Sequence, residues 1–186
     1  MKRMRLLFFI IILGVVMLVP IMTSADEVQS IPKPKYPGTN VEMRPGDILS
    51  SPKSWSSTKF FGHTAIVGPN YEIIHSHPVE DRAVSESISS FMSRHSSGDR
   101  IKVYRSSIGG SSTAASWAAN NYRRADDYGI DDNLVGITPN YCSKFVWQAW
   151  YLSSGRKIVN KYPTSPDPVT PGEIESSGST YHATSF

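Results

Sequence analysis

The chain has 186 residues, 39% of them hydrophobic, with 19 Lys and Arg against 16 Asp and Glu, a size and balance that suit one globular core and exclude a disordered or collagen-like chain. The formal charge of +3 is carried by Lys2, Arg3 and Arg5, and without the first 25 residues basic and acidic side chains balance. That leaves the mature domain no positive field, so no nucleic-acid partner and no strong anionic-membrane binding are expected of it.

Residues 1–25 join those three cations to an apolar run from Leu6 to Val19, then Pro20 and the small residues Thr23, Ser24 and Ala25. This is the pattern of a cleaved signal peptide, with an uncleaved anchor as its rival, and it implies a secreted or cell-envelope-associated protein. Residues 26–42, punctuated by Pro32, Pro34 and Pro37, read as an extended leader that is mobile or lies along the surface. A single catalytic domain is expected over residues 43–186. Arg44 to Ser50 enters a first strand, and Ser51 to Lys59 forms a Ser-rich loop carrying Trp55, a candidate for lining a substrate cleft.

Phe61 to Gly68 and Tyr71 to His77 read as two strands of a hairpin. With a three-residue loop of Pro69, Asn70 and Tyr71, Gly68 pairs with Glu72 and Ala65 with His75, so His63, His75 and His77 share one face. A two-residue loop would instead turn His75 to the other face. Ser85 to His95 looks helical through Ile88, Phe91 and Met92, Arg100 to Arg105 alternates as a strand, and Thr113 to Arg124 forms a helix burying Ala114, Trp117 and Ala118. Asn140 is the expected N-cap of a helix whose one face carries Cys142, Phe145, Val146, Ala149 and Leu152, stopped at Ser154-Gly155. Thr170-Pro171-Gly172-Glu173 has the capping-box pattern of a short helix. His95 and His182, at a helix end and in a terminal tail, are expected in solvent.

Cys142 is the only cysteine. In an exported chain a lone thiol awaits an intermolecular partner, fills a core or is kept for its reactivity, and a position in the first helical turn favours thiolate. A sulfur nucleophile needs an imidazole to take its proton and a polar group to fix that imidazole, which His63 and His75 can supply. His75-Ser76-His77 with Cys142 lacks the paired spacing of a zinc site, so no metal and no cofactor are expected.

The order Arg44-Pro45-Gly46-Asp47, then Gly62-His63-Thr64-Ala65-Ile66-Val67-Gly68, then Tyr141-Cys142-Ser143-Lys144-Phe145-Val146-Trp147 resembles the YiiX-like group of NlpC-type, papain-fold cysteine peptidases and amidases. The resemblance implies an α+β, circularly permuted papain-like fold, a small antiparallel barrel or sheet packed against the cysteine helix. It implies Cys142 as nucleophile, His63 as general base and His75 as orienting residue, with Tyr141 and His77 as oxyanion or substrate candidates. Several members of the group carry a glutamate near the third position; Glu72 is the alternative here, on the other strand face.

The leading expectation is therefore a hydrolase that cleaves an amide bond through a thioester, with a peptide or amide substrate, for which the resemblance implies peptidoglycan. The lecithin retinol acyltransferase family is also similar, in its Arg-Pro-Gly-Asp opening and paired histidines, although residues after its cysteine differ from Ser143-Lys144. It implies a lipid acyltransferase or esterase. A catalytically silent wall-binding module is the third reading.

Overall fold

Six short strands form one open antiparallel sheet in the computed structural model of the chain, which describes residues 33–52 and 62–186. The expected signal segment and Trp55 lie outside the described residues. The strands are β1 (Ile48–Ser51), β2 (His63–Val67), β3 (Ile73–His77), β4 (Arg82–Glu86), β5 (Lys102–Ser106) and β6 (Thr180–Ser185), in the spatial order β4-β3-β2-β1-β5-β6. The α+β expectation holds, but the sheet does not close into a barrel: β4 and β6 are its two edges.

Among the described residues four α-helices accompany it, α1 (Ile88–Ser93), α2 (Ser111–Asn121), α3 (Cys142–Ser154) and α4 (Pro171–Glu175). Side chains alternate across a strand, and this divides the core in two. Ile48, Ile66 and Ile74 pack with Phe145, Val146, Trp147 and Trp150 of α3 and with Ala114 and Ala118 of α2. Leu49, Ala65, Val67 and Ile73 pack on the other face with Phe91 of α1, Tyr36 and Met43. Each large apolar side chain buried in this way contributes about 1.5–3 kcal/mol.

The hairpin has the register of the three-residue loop. Ile66 pairs with Ile74 and Val67 with Ile73, and Gly68 N–H donates to the Glu72 carbonyl at 2.8 Å. Tyr71 closes the loop at φ 66°, a left-handed conformation uncommon outside glycine.

Three expectations are corrected. The segment read as an extended leader turns back on itself from Lys33 onward. Lys35 bridges Glu42, and Tyr36, 1% exposed, stacks on Phe186 at 5.2 Å and donates to Asp47 Oδ2 at 2.7 Å. Asp47 also pairs with Arg105 at 2.8 Å, so the Gly-Asp opening is a buried clasp between the leader, β1 and β5. Secondly, Ser85 and Glu86 belong to β4, and α1 begins only after Ser87, whose hydroxyl accepts from Ser90 N–H. Thirdly, the C-terminal tail is strand β6, paired with β5 through Tyr104 and His182.

The helix of the cysteine is not one-sided. Every residue from Cys142 to Trp150 is buried, while Leu152, expected inside, is 39% exposed. Its polar members are satisfied internally. Lys144 Nζ donates to Asp131 at 2.6 Å and to the Pro139 carbonyl at 2.8 Å, and Gln148 Nε2 donates to the Leu134 and Gly136 carbonyls at 2.8 Å each. Gly155 ends the helix at φ 66°, the left-handed C-terminal position that glycine fills without strain. α4 carries the expected capping box between Thr170 and Glu173.

Candidate functional site

Cys142 is the first residue of α3. Asn140 does not cap the helix. Its Oδ1 accepts from Tyr141 N–H at 2.9 Å and its amide donates to Gln148 Oε1 at 2.8 Å, leaving Tyr141 at the cap position in extended conformation with no side-chain cap. The Tyr141 hydroxyl accepts from Val169 N–H at 3.0 Å, which ties the helix entry to the segment before α4.

The thiol itself is 4% exposed. Thr64, Ser143 and Tyr128 are its polar neighbours. Burial pushes its pKa above the ordinary thiol value, and the Thr64 and Ser143 groups oppose that rise only in part. Beside the sulfur opens an apolar pocket of about 80 Å³ lined by Gly62, Tyr128, Ile130, Tyr141, Pro168 and Val169. A water occupies ~30 Å³, so the pocket admits a carbonyl and its first few substituent atoms. Ile130 on its wall is 64% exposed.

The histidines form a connected chain. His63 Nε2 lies 2.8 Å from His75 Nδ1, and His75 Nε2 lies 2.9 Å from Glu86 Oε1. Arg94 Nε donates to both Glu86 oxygens at 3.0 Å, and Ser90 Oγ donates to Oε2 at 2.7 Å. The Phe91 ring packs against both imidazoles, with centroids 6.3 Å from His63 and 5.2 Å from His75. Burial lowers the pKa of each histidine, and for His75 the bond and charge of Glu86 work against it. Glu86 is held down to about 2 by its bonds to His75, Ser90 and Arg94, against the opposing effect of its burial.

The remaining candidates fall elsewhere. His77 Nδ1 accepts from Val79 and Glu80 N–H at 3.1 and 3.0 Å, closing the turn between β3 and β4, and its Nε2 lies 2.9 Å from Arg94. It does not line the pocket at Cys142. Glu72 accepts from Asn70 N–H within the hairpin loop, and His75 is the neighbour of His63. His95 is half-buried, bonded to the Phe91 carbonyl and Ser51 Oγ, whereas His182 is exposed on β6. Among the described residues no three His, Cys, Asp or Glu side chains converge as metal ligands.

Cys142 and His63 do not make the expected hydrogen bond. His63 alternates with Ala65 and Val67 on the face of Phe91, whereas Thr64, against which the thiol rests, alternates with Ile66 on the face of α3. Sequence spacing brought the two histidines together correctly. It missed Glu86, Arg94, Thr64 and Tyr128, and only Glu86 carried a signal, as an acid just before a serine-capped helix.

The chain matches, over residues 1–165, a family described as lipoprotein N-acylation protein LnsA-like. An uncharacterized 30.3 kDa protein of Bacillus thuringiensis is 34% identical over 131 residues, which are 63% of this chain and 47% of that protein. The chain thus spans about half the length of that curated relative. The crystal structure of a protein from Escherichia coli O157:H7, titled metalloprotein yiiX, aligns with a TM-score of 0.56 at 15% identity, over 76% of this chain and 96% of that one, a likeness of fold.

Proposed function

Because the chain belongs to the family of LnsA-like lipoprotein N-acylation proteins, we propose that it is an acyl-transfer enzyme in which Cys142 carries the acyl group as a thioester. The observation that carries this reading is the chain's lone thiol at the first turn of α3, opening on an apolar pocket. A pocket of that lining receives the hydrocarbon side of an acyl donor and turns its carbonyl toward the sulfur. The secreted or cell-envelope-associated location expected from residues 1–25 is part of the same proposal, as is the permuted papain-like connectivity.

In this reading His63 accepts the thiol proton, and the sulfur forms a bond to the acyl carbonyl. The donor's alkoxide leaves with the proton held on His63. An amine, following the family description, or water then attacks the thioester and restores the thiol. His75 holds His63, and Tyr128 beside the sulfur supports the developing oxyanion. The buried sulfur has Thr64 and Tyr128 as neighbours, and in this reading Cys142 turns toward His63 when the donor fills the pocket. The amidase reading uses the same residues with an amide as donor.

The test is to incubate the full chain with phospholipid vesicles and a lipopeptide bearing a free amine, and separately with muropeptides, following the protein and products by mass spectrometry. A fatty-acyl adduct on Cys142 and an N-acylated lipopeptide are expected, absent in Cys142→Ala and slowed by ~10²-fold or more in His63→Ala. Cleaved muropeptides with no acyl adduct would replace this reading with the amidase, and no product from either would leave a binding module.

A further inference from the structure

Glu86 lies two bonds of the relay away from His63, on a strand that the reaction does not otherwise use. We propose that Glu86, held by Arg94, is a positioning residue that fixes the tautomers of both buried histidines and thereby makes Nδ1 of His63 the basic nitrogen. This rests on the reading of His63 as the base, and it adds the groups that decide which of its two nitrogens does the work.

The argument is a proton count along three contacts. An ionised carboxylate only accepts hydrogen bonds, and Glu86 is kept ionised by Arg94 Nε, which donates to both of its oxygens at 3.0 Å, and by Ser90 Oγ at 2.7 Å. His75 Nε2, 2.9 Å from Glu86 Oε1, must therefore carry the ring proton. A neutral imidazole has one N–H, so His75 Nδ1 is an acceptor. His63 Nε2, 2.8 Å from that atom, must in turn be the donor. The lone pair of His63 is left on Nδ1. One carboxylate on β4 thus dictates the chemistry of a ring on β2, in the way that a base is oriented by the group behind it.

Arg94 shows what Glu86 prevents. Its guanidinium is a donor only, and Glu86 stands between it and His75. With Glu86 removed, the nearest charged group at His75 Nε2 is a donor, which favours the opposite tautomer: proton on His75 Nδ1, lone pair facing Arg94, and His63 forced to accept at Nε2. The other charged or titratable groups facing the pair are His77 on β3, His95 after α1, and Glu80, which meets Arg94 at 3.5 Å. Of these groups Glu86 is the carboxylate in hydrogen-bond contact with a ring of the pair, at His75 Nε2.

The experiment compares wild type, Glu86→Gln and Glu86→Ala as full chains labelled with 15N-histidine. Long-range proton–nitrogen correlation spectra at pH 7 read the tautomers, and the pH profile of kcat/KM on a p-nitrophenyl acyl ester reads the base. In wild type both rings should carry the proton on Nε2. Glu86→Gln keeps an oxygen that accepts from His75 but loses the charge that stabilises imidazolium, so its tautomers should stay and its acid limb should move to lower pH. Glu86→Ala should place the proton on Nδ1 of both rings and lose ~10²-fold in kcat/KM, the low end of what a positioned base supplies. A purely structural Glu86 would lower the melting temperature in both variants without moving the acid limb, which would overturn the proposal. Wild-type tautomers in Glu86→Ala would overturn the relay itself. A changed tautomer with unchanged kcat/KM would instead overturn the reading of His63 as base while leaving the proton count intact.

Discussion

At Cys142 two influences oppose each other. The first turn of a helix favours thiolate by roughly 0.3–1 kcal/mol, and this is what a cysteine directly after Asn140-Tyr141 suggests from sequence. The folded chain encloses the sulfur, however, and burial dominates, raising the thiol pKa despite the groups of Thr64 and Ser143. Iodoacetamide labelling of the substrate-free protein should therefore reach half its maximal rate above the ~8.5 of a free thiol. A midpoint below 7 in wild type would mean that the thiol is already paired with an imidazole at rest. Residue chemistry was legible where it followed from local spacing: the twelve positions between His63 and His75, with Pro69-Asn70-Tyr71 as loop, place both rings on one face. Thr64 and Tyr128 were not legible, because their approach to the sulfur depends on how α3 is set against β2 and on where the segment before it runs.

The elements show the same division. The β2–β3 hairpin, the capping box of α4 and the stop at Gly155 rest on neighbours in sequence, and each was readable from it. β4 and β6 were not, because Arg82–Glu86 and Thr180–Ser185 are polar edge strands whose identity comes from pairing with β3 and β5 rather than from alternation of their own. Helix α3 was read as amphipathic because Lys144 and Gln148 look like a solvated face, yet both are buried and bonded to the loop that precedes the helix. Gln148 joins Asn140, Leu134 and Gly136, which anchors the segment carrying Tyr128 and Ile130 of the pocket wall. Gln148→Leu preserves much of the volume but strands the buried Leu134 carbonyl and the half-buried Gly136 carbonyl, so it should cost about 2–4 kcal/mol. Urea unfolding of the two proteins measures this, and a loss under ~0.5 kcal/mol, the range of an ordinary surface substitution, would show that the loop is not anchored there.

Across the whole molecule, the face of the sheet covered by α1 concentrates His63, His75 and His77, each at most 1% exposed, together with half-buried His95. A neutral imidazole enclosed in this way is tolerated only while the protons stay off. Burial lowers the pKa of His63 and His75, and that of His77 to about 4, all below the ~6.5 of an unfolded chain. As pH falls through 6.5 the unfolded state binds protons that the folded state refuses, so stability is fully present above that value and declines below it. Glu86, lowered to about 2, has the opposite protonation chemistry but adds to the same trend: its contribution is present above the ~4.3 of a free glutamate and lost as pH drops toward 2. The expected outcome is a melting temperature level from pH 7.5 to about 6.5 that then falls by several degrees by pH 5, where Glu86 is still ionised in the folded state and mostly ionised in the unfolded one. His77→Asn offers its side-chain oxygen to Val79 and Glu80 N–H in place of Nδ1 while removing one of the titrating rings, so the fall between pH 6.5 and 5 should be shallower in that variant. A wild-type melting temperature that stays constant or rises over this interval would mean that the cluster takes up protons in the folded state, and that the imidazoles are not held neutral by the sheet and Phe91.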